Sequence, residues 1–233
     1  LALIDAMPDQ AYNIHVKERV NPMTAKKLLS LIRLLILALA VGLLMGVIST
    51  AFLNALTWAT KLRSGQPYFL LGLPFFGMLT LYSYQRFGKN SNKGNNLIID
   101  SIHTQAQVPF RMAILTFLFT VGTHIFGGSA GREGTGVQIG GTLSNALASV
   151  FKLEKNDQRV LVMSGISAGF ASVFGTPLAG AVFGLEVAFI GKLSLEALFP
   201  CFIAAYSSNM VTELLGITHT RYAIQSIPSI SPY

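Results

Sequence analysis

Apolar stretches and short charge clusters alternate along the chain, and the charges mark where each stretch ends. Two long runs free of charge occupy 34–60, between Arg33 and Lys61, and 64–85, between Arg63 and Arg86. Three more follow: 112–131 after Arg111, 134–151 between Glu133 and Lys152, and 160–185 between Arg159 and Glu186. A last apolar stretch, 197–212, lies between Glu196 and Glu213. About 20 apolar helical residues cross the hydrocarbon core of a bilayer, so the first two runs predict conventional spans.

The later runs predict something less regular. The fourth opens in a glycine-rich loop, and Gly175-Thr176-Pro177 cuts the fifth. Proline lacks an N–H and suits the first turn of a helix, which predicts two shorter helices, 160–173 and 177–190. Partial helices persist in a membrane only where protein or a water-filled cavity satisfies their ends, and transporters use such ends to hold ions. The pattern predicts an all-α polytopic membrane protein with tilted and broken helices.

Composition agrees. The chain is 52% hydrophobic and 12% charged, against about 25% charged in soluble domains, with a mean hydropathy of +0.55. Its net charge of +7 is spread along the edges of apolar runs, which argues against a nucleic-acid surface and for cytoplasmic loops. Lys17, Arg19, Lys26, Lys27 and Arg33 precede the first run, and Arg86, Lys89 and Lys93 follow the second. Both groups are expected in the cytoplasm, with the Lys61–Arg63 turn outside. The stretch 91–96 reads as a turn or loop.

Single Cys201, in an apolar stretch, reads as a small buried residue and allows no intrachain disulfide or cysteine metal site. No metal or organic cofactor is expected. The first residues are polar, with no early apolar core, so no cleavable signal peptide is expected. The division expected is a cytoplasmic segment 1–26, a transmembrane domain 27–217 and a polar tail 218–233 that reads as a loop cut short.

Two motifs carry the candidate chemistry. The first is Gly127-Gly128-Ser129-Ala130-Gly131-Arg132-Glu133-Gly134-Thr135-Gly136, followed by Val137-Gln138-Ile139-Gly140-Gly141 and a helical pattern. A glycine-rich loop feeding a helix exposes unpaired N–H groups at the positive end of the helix dipole, which forms an anion site. Glu133 places its own carboxylate there, and on protonation it becomes neutral and can leave, which suits gating or proton coupling. The competing reading is a close-packing surface of small residues, a role Gly136 and Gly140 fit. An ionisable residue at bilayer depth is costly and commonly functional, and this favours a role for Glu133. A dinucleotide-loop reading lacks the preceding strand that it needs.

The second motif runs from Ser164 through Gly175-Thr176-Pro177-Leu178-Ala179-Gly180 to Glu186. Its small residues let helices approach closely. Glu186 reads equally as a functional acid or as a helix-end carboxylate, and Lys192 is a candidate partner. His124 reads as a packing or polar-contact residue, and His103 and His219 as loop residues.

With these residues in view, the sequence resembles the CLC family of chloride channels and anion/proton antiporters. Gly131-Arg132-Glu133-Gly134 with 137–141 resembles the family's pore motif, and 176–180 ending at Glu186 resembles its next signature. The resemblance covers roughly 27–216. It implies a homodimer of subunits that each hold an anion pathway and two inverted repeats, of which this chain matches the first.

Carried over residue by residue, the resemblance makes Glu133 the gating glutamate, flanked by Gly131, Arg132 and Gly134. Residues 94–98 fall on the first anion-binding loop, where Asn95 takes the place of the usual serine and no proline follows. Thr135 replaces the usual proline after Gly134. Glu186 falls beside the internal proton-transfer position, which Val187 itself occupies, so two-glutamate exchange is not expected. These departures resemble the fluoride-exporting branch. The anion-binding set expected is Asn95, Gly131, Arg132, Gly134 and Thr135, with Glu186 as a candidate on a proton path.

The function implied is passage of a halide, chloride or fluoride, through the cell (inner) membrane, with protons and lipid as the other partners. Two rivals stay open. One is a membrane enzyme using Glu133 or His124. The other is a truncated or degenerate relative without independent transport.

Overall fold

The computed structural model describes residues 25–104, 106–188 and 194–219. Among these the regular structure is helical. The order is α1 (Ala25–Gly65), α2 (Leu73–Phe87), α3 (Asn95–Thr104), α4 (Arg111–Ile125), α5 (Arg132–Val150), α6 (Lys155–Phe174), α7 (Pro177–Glu186) and α8 (Leu198–Leu214). Short 3-10 turns occupy Pro67–Gly72, Lys89–Lys93 and Leu195–Ala197. Two compact units divide the chain, Leu1–Leu34 and Leu35–Tyr233. In the first, the described residues are the opening turns of α1; the packing below belongs to the second.

Among the described residues α1 is the one helix long and apolar enough to cross a membrane. The second run therefore departs from the conventional span expected of it. Pro67 and Pro74 each start a new segment, and the run divides into a 3-10 turn and the 15-residue α2. Proline starts helices and cannot continue one from behind, so two prolines in one run shorten it. The predicted break at Gly175-Thr176-Pro177 is present: Gly175 ends α6 at φ +72 and Pro177 starts α7. The two flanking helices run Lys155–Phe174 and Pro177–Glu186, so the first starts earlier and the second ends earlier than 160–173 and 177–190. The stretch read as a loop, 91–96, is instead the end of a 3-10 turn, then Gly94, then the first residues of α3.

Small residues hold the helices together. Gly42 lies against Ala204 and Gly46 against Val211, so α1 and α8 run parallel. Gly136 meets Gly169 and Gly140 meets Gly165, so α5 and α6 run antiparallel. Gly180 on Ala171 and Gly184 on Ser167 make α6 and α7 antiparallel as well. α6 is the central element, with Val160 through Gly169 buried without a break. Large apolar side chains instead face outward, including Leu43, Val47, Trp58, Phe75, Met78 and Met210. An exterior of this kind is suited to lipid, since soluble proteins rarely expose extended apolar patches.

Buried serines tie three helices together. Ser49 on α1 and Ser172 on α6 share a hydrogen bond of 2.7 Å, and Ser208 on α8 donates to the Ala168 carbonyl at 2.9 Å. Interhelical bonds of this type contribute about 0.6 kcal/mol on average in membranes, up to about 1.7. Ser172→Ala is expected to lower unfolding stability in detergent by that order. A loss of several kcal/mol in a denaturation titration would show that the bond does more than staple α1 to α6.

Candidate functional site

Two helix beginnings meet at one place. α3 starts at Asn95, directly after Gly94, whose φ of +58 and ψ of −135 are open to glycine and strained for other residues. α5 starts at Arg132 after the extended Gly131. One face of α5, at positions 134, 138 and 141, receives the start of α3, because residues three and four apart share a helix face. A Cβ placed on Gly134 would stand 3.4 Å from Asn95 Nδ2, and one on Gly141 would stand 2.5 Å from Ile98 Cγ2. A Cβ on Gly94 would stand 3.5 Å from Gln138 Nε2. A Cβ at 134 would rest in ordinary contact with the Asn95 amide, and only a side chain reaching past it would push that amide away.

The electrostatics follow from the backbone. No side chain caps the first turn of α5, which leaves its leading N–H groups to other acceptors. The dipole adds partial positive charge at the same end. Glu133 sits in this turn, and its carboxylate folds back so that a Cβ on Gly131 would be 2.6 Å from Oε2. Gly131, Arg132, Glu133 and Asn95 are exposed and Gly134 is half-buried. The carboxylate therefore stands at a helix start and within reach of water.

Thr135 plays a different part. Its hydroxyl is buried and lies 2.8 Å from that of Thr120 on α4. It also donates to the Gly131 carbonyl at 3.2 Å. The hydroxyl thus locks the Gly131 turn onto α4, and as the fourth helical residue Thr135 has its N–H in line for the Gly131 carbonyl, the first intrahelical bond, so it supports the turn and offers no free amide to an anion. The proline expected at this position would remove both that N–H and the hydroxyl.

Behind the same helix start lies a cavity of about 950 Å³ with Lys61, His124, Arg132 and His219 in its wall. No carboxylate lines it among the described residues. His124 Nδ1 is 2.8 Å from the Thr120 carbonyl, so its contact is the polar one expected for a packing residue. His219 lies against the left-handed Gly175. Burial pushes its imidazole below the ordinary value, Glu213 opposes that shift and Arg132 adds to it. His219 reads in the sequence as a loop residue, and the structure places it on the wall of a basic cavity.

Glu186 is elsewhere. It is exposed at the last position of α7, and the contacts of Gly184 with Met163 and Ser167 and of Gly165 with Gly140 put that position level with the middle of α5, about two turns along from Glu133. Lys192 lies outside the described residues. Asn95, Gly131, Arg132, Glu133, Gly134 and Thr135 are brought together, and Glu186 is apart from them.

Sequence reasoning gave no role to Gln138, Thr116 or Tyr84. Thr116 donates to Gln138 Oε1 at 2.7 Å, and Tyr84 Oη lies 3.2 Å from Thr116 Oγ1. The one available signal was a glutamine inside an apolar helix, a few residues beyond the candidate acid.

The chain matches the family described as voltage gated chloride channel over residues 76–233. It is 49% identical over 194 residues to a chloride/fluoride channel protein of Pseudomonas syringae pv. tomato, covering 83% of this chain and 43% of that one. It is 29% identical over 168 residues to an H(+)/Cl(-) exchange transporter, ClcA, of Salmonella arizonae, covering 66% and 36%. A solved crystal structure of a CLC-type fluoride/proton antiporter superimposes with a TM-score of 0.81 at 34% identity, covering 89% of this chain and 52% of that chain. The chain spans about half the length of these relatives or less.

Proposed function

Because the chain belongs to the voltage gated chloride channel family, we propose that it forms one half of a membrane pathway that carries fluoride in exchange for protons. The observation that carries this reading is the meeting of Asn95 with Gly134 beside Glu133. Uncapped amides at the start of α5 and the Asn95 carboxamide supply N–H donors, and Glu133 supplies a competing negative charge that a proton removes. In this cycle the deprotonated carboxylate holds the anion's place. Protonation neutralises it, the side chain leaves, and the anion takes over the amide hydrogens.

Fluoride is favoured over chloride by the donor set. It is small and charge-dense, so it gains most from several short N–H contacts and needs the least room. The fluoride named for the Pseudomonas protein and for the antiporter structure supports this. Val187 at the internal proton-transfer position argues against an exchange that uses two glutamates. Glu186, exposed at the end of α7 and apart from Glu133, is a candidate only for the mouth of a proton path. The assembly proposed is a homodimer in the bacterial inner membrane, each subunit with its own pathway.

The test is flux from proteoliposomes loaded with fluoride or chloride, read with ion electrodes while internal pH is followed. Fluoride release accompanied by proton uptake is expected, and equal rates for the two halides would sink the fluoride assignment. Asn95→Ser is expected to shift the preference toward chloride by about tenfold, of the order of one charge-assisted hydrogen bond. Asn95→Ala is expected to weaken binding of both halides.

A further inference from the structure

We infer that Gln138 is a positioning residue that sets the register of the Gly94–Asn95 turn against α5, and through it the halide preference of the site. This rests on the anion-site reading above.

A threonine hydroxyl has one proton, and Thr116 donates it to Gln138 Oε1 at 2.7 Å. The Tyr84 hydroxyl, 3.2 Å away, therefore donates to Thr116. The relay Tyr84 to Thr116 to Gln138 runs one way and ends on the carboxamide oxygen. A primary amide whose oxygen is fixed has its NH₂ fixed too, and here the nitrogen faces Gly94.

Three residues of α5 meet the turn and the helix after it, and Gln138 is the polar one. Gly134 meets Asn95, Gly141 meets Ile98, and Gln138 lies between them under Gly94. The glycines only permit approach. Gln138 is anchored from behind, since Thr116 is buried on α4 and the Tyr84 ring packs on Phe119 with centroids 5.8 Å apart. α2, α4 and α5 thus converge on one amide that faces the residue before Asn95. Gly94 has no side chain to resist rotation about its φ of +58, so what stands opposite it decides where Asn95 points.

The experiment compares Gln138→Leu, Gln138→Glu, Thr116→Val and Ile102→Ala with the wild type in the same proteoliposomes, with halide selectivity, KM for fluoride and thermal midpoint as readouts. Gln138→Leu keeps the bulk and removes the amide; it is expected to raise KM for fluoride and erode discrimination against chloride by about tenfold, since small misplacements at a site carry large penalties. Gln138→Glu keeps an acceptor for Thr116 and puts an oxygen where the NH₂ was, so it is expected to be at least as impaired. Thr116→Val frees the carboxamide and is expected to reproduce part of the loss. Combined with Gln138→Leu it is expected to add nothing further. Ile102→Ala loosens the packing of the same helix, where Ile102 is buried, without touching the relay or the 94–98 loop, and is expected to lower the midpoint while leaving selectivity in place. Wild-type selectivity in Gln138→Leu overturns the inference, as does an equal selectivity loss in Ile102→Ala. A wild type that moves no halide overturns the anion-site reading instead.

Discussion

Glu133→Gln is expected to release halide flux from its dependence on pH and to reduce coupled proton movement by at least about tenfold, or about 1.4 kcal/mol of coupling. The reason is the place the side chain holds. It stands in the first turn of α5, where no side chain caps the amides, and turns back toward Gly131. Glutamine has the same shape and no charge at any pH, so it cannot alternate between occupying and vacating the anion's place. Removing a negative charge from a helix start costs only about 0.3–1 kcal/mol of stability, so the folded protein is expected to survive. Electrode and pH recordings from the same vesicles read both quantities. Glu186→Gln, at the exposed end of α7 and apart from the first turn of α5, is expected to leave the pH response of halide flux nearly intact. Equal pH profiles for wild type and Glu133→Gln would remove Glu133 from the mechanism.

Local chemistry explains why this acid was legible before any coordinates. A run of glycines, then an acid, then apolar helical spacing encodes a helix start within a single stretch of chain. Pro177 likewise announces its own break, because a missing N–H acts where it stands. The other half of the site was harder to see. Asn95 is separated from Gly134 by most of two helices, and its place at the head of α3 depends on a left-handed Gly94 that reads in isolation as an ordinary turn. Tyr84, Thr116 and Gln138 come from three helices, and hydroxyl and amide side chains carry no periodic signal of what they will meet.

The misread second span has the same origin as the correct reading of the fifth. A charge-free run measures how much apolar chain is available, and the prolines within it decide how that chain is divided. Pro67 and Pro74 divide the second run as Pro177 divides the fifth, and all three stand at helix starts. Thr135 shows a subtler case. Resemblance places it among the anion ligands, but its hydroxyl is held by Thr120 and by the Gly131 carbonyl. A side chain that shapes a ligand-binding turn can do so while facing away from the ligand.

Gly140→Leu is expected to be the most damaging change to the fold. Gly140 is buried, and a Cβ built on it would run into the Gly165 carbonyl; one built on Gly165 would meet the Gly140 carbonyl and Ser144 in turn. One turn away, a Cβ on Gly136 would stand 2.9 Å from the Gly169 oxygen. The two helices therefore touch backbone to backbone, an approach that permits weak Cα–H···O contacts and dense dispersion. Between helices in lipid such packing does the work that the hydrophobic effect does in water. One added methyl in a tight core commonly costs about 1–3 kcal/mol, and a leucine against backbone, which cannot yield like a side chain, is expected at or above the upper end. The displacement would reach the site, because the far face of α5 carries Gly134, Gln138 and Gly141 against α3. A matched control is Gly77→Ala: nothing lies within 4 Å of the added carbon. Alanine in a helix interior is favoured over glycine by about 0.5–1 kcal/mol, so this variant is expected to melt slightly higher in detergent while Gly140→Leu fails to fold or melts far lower. Similar midpoints for the two variants would mean that α5 and α6 are not in backbone contact.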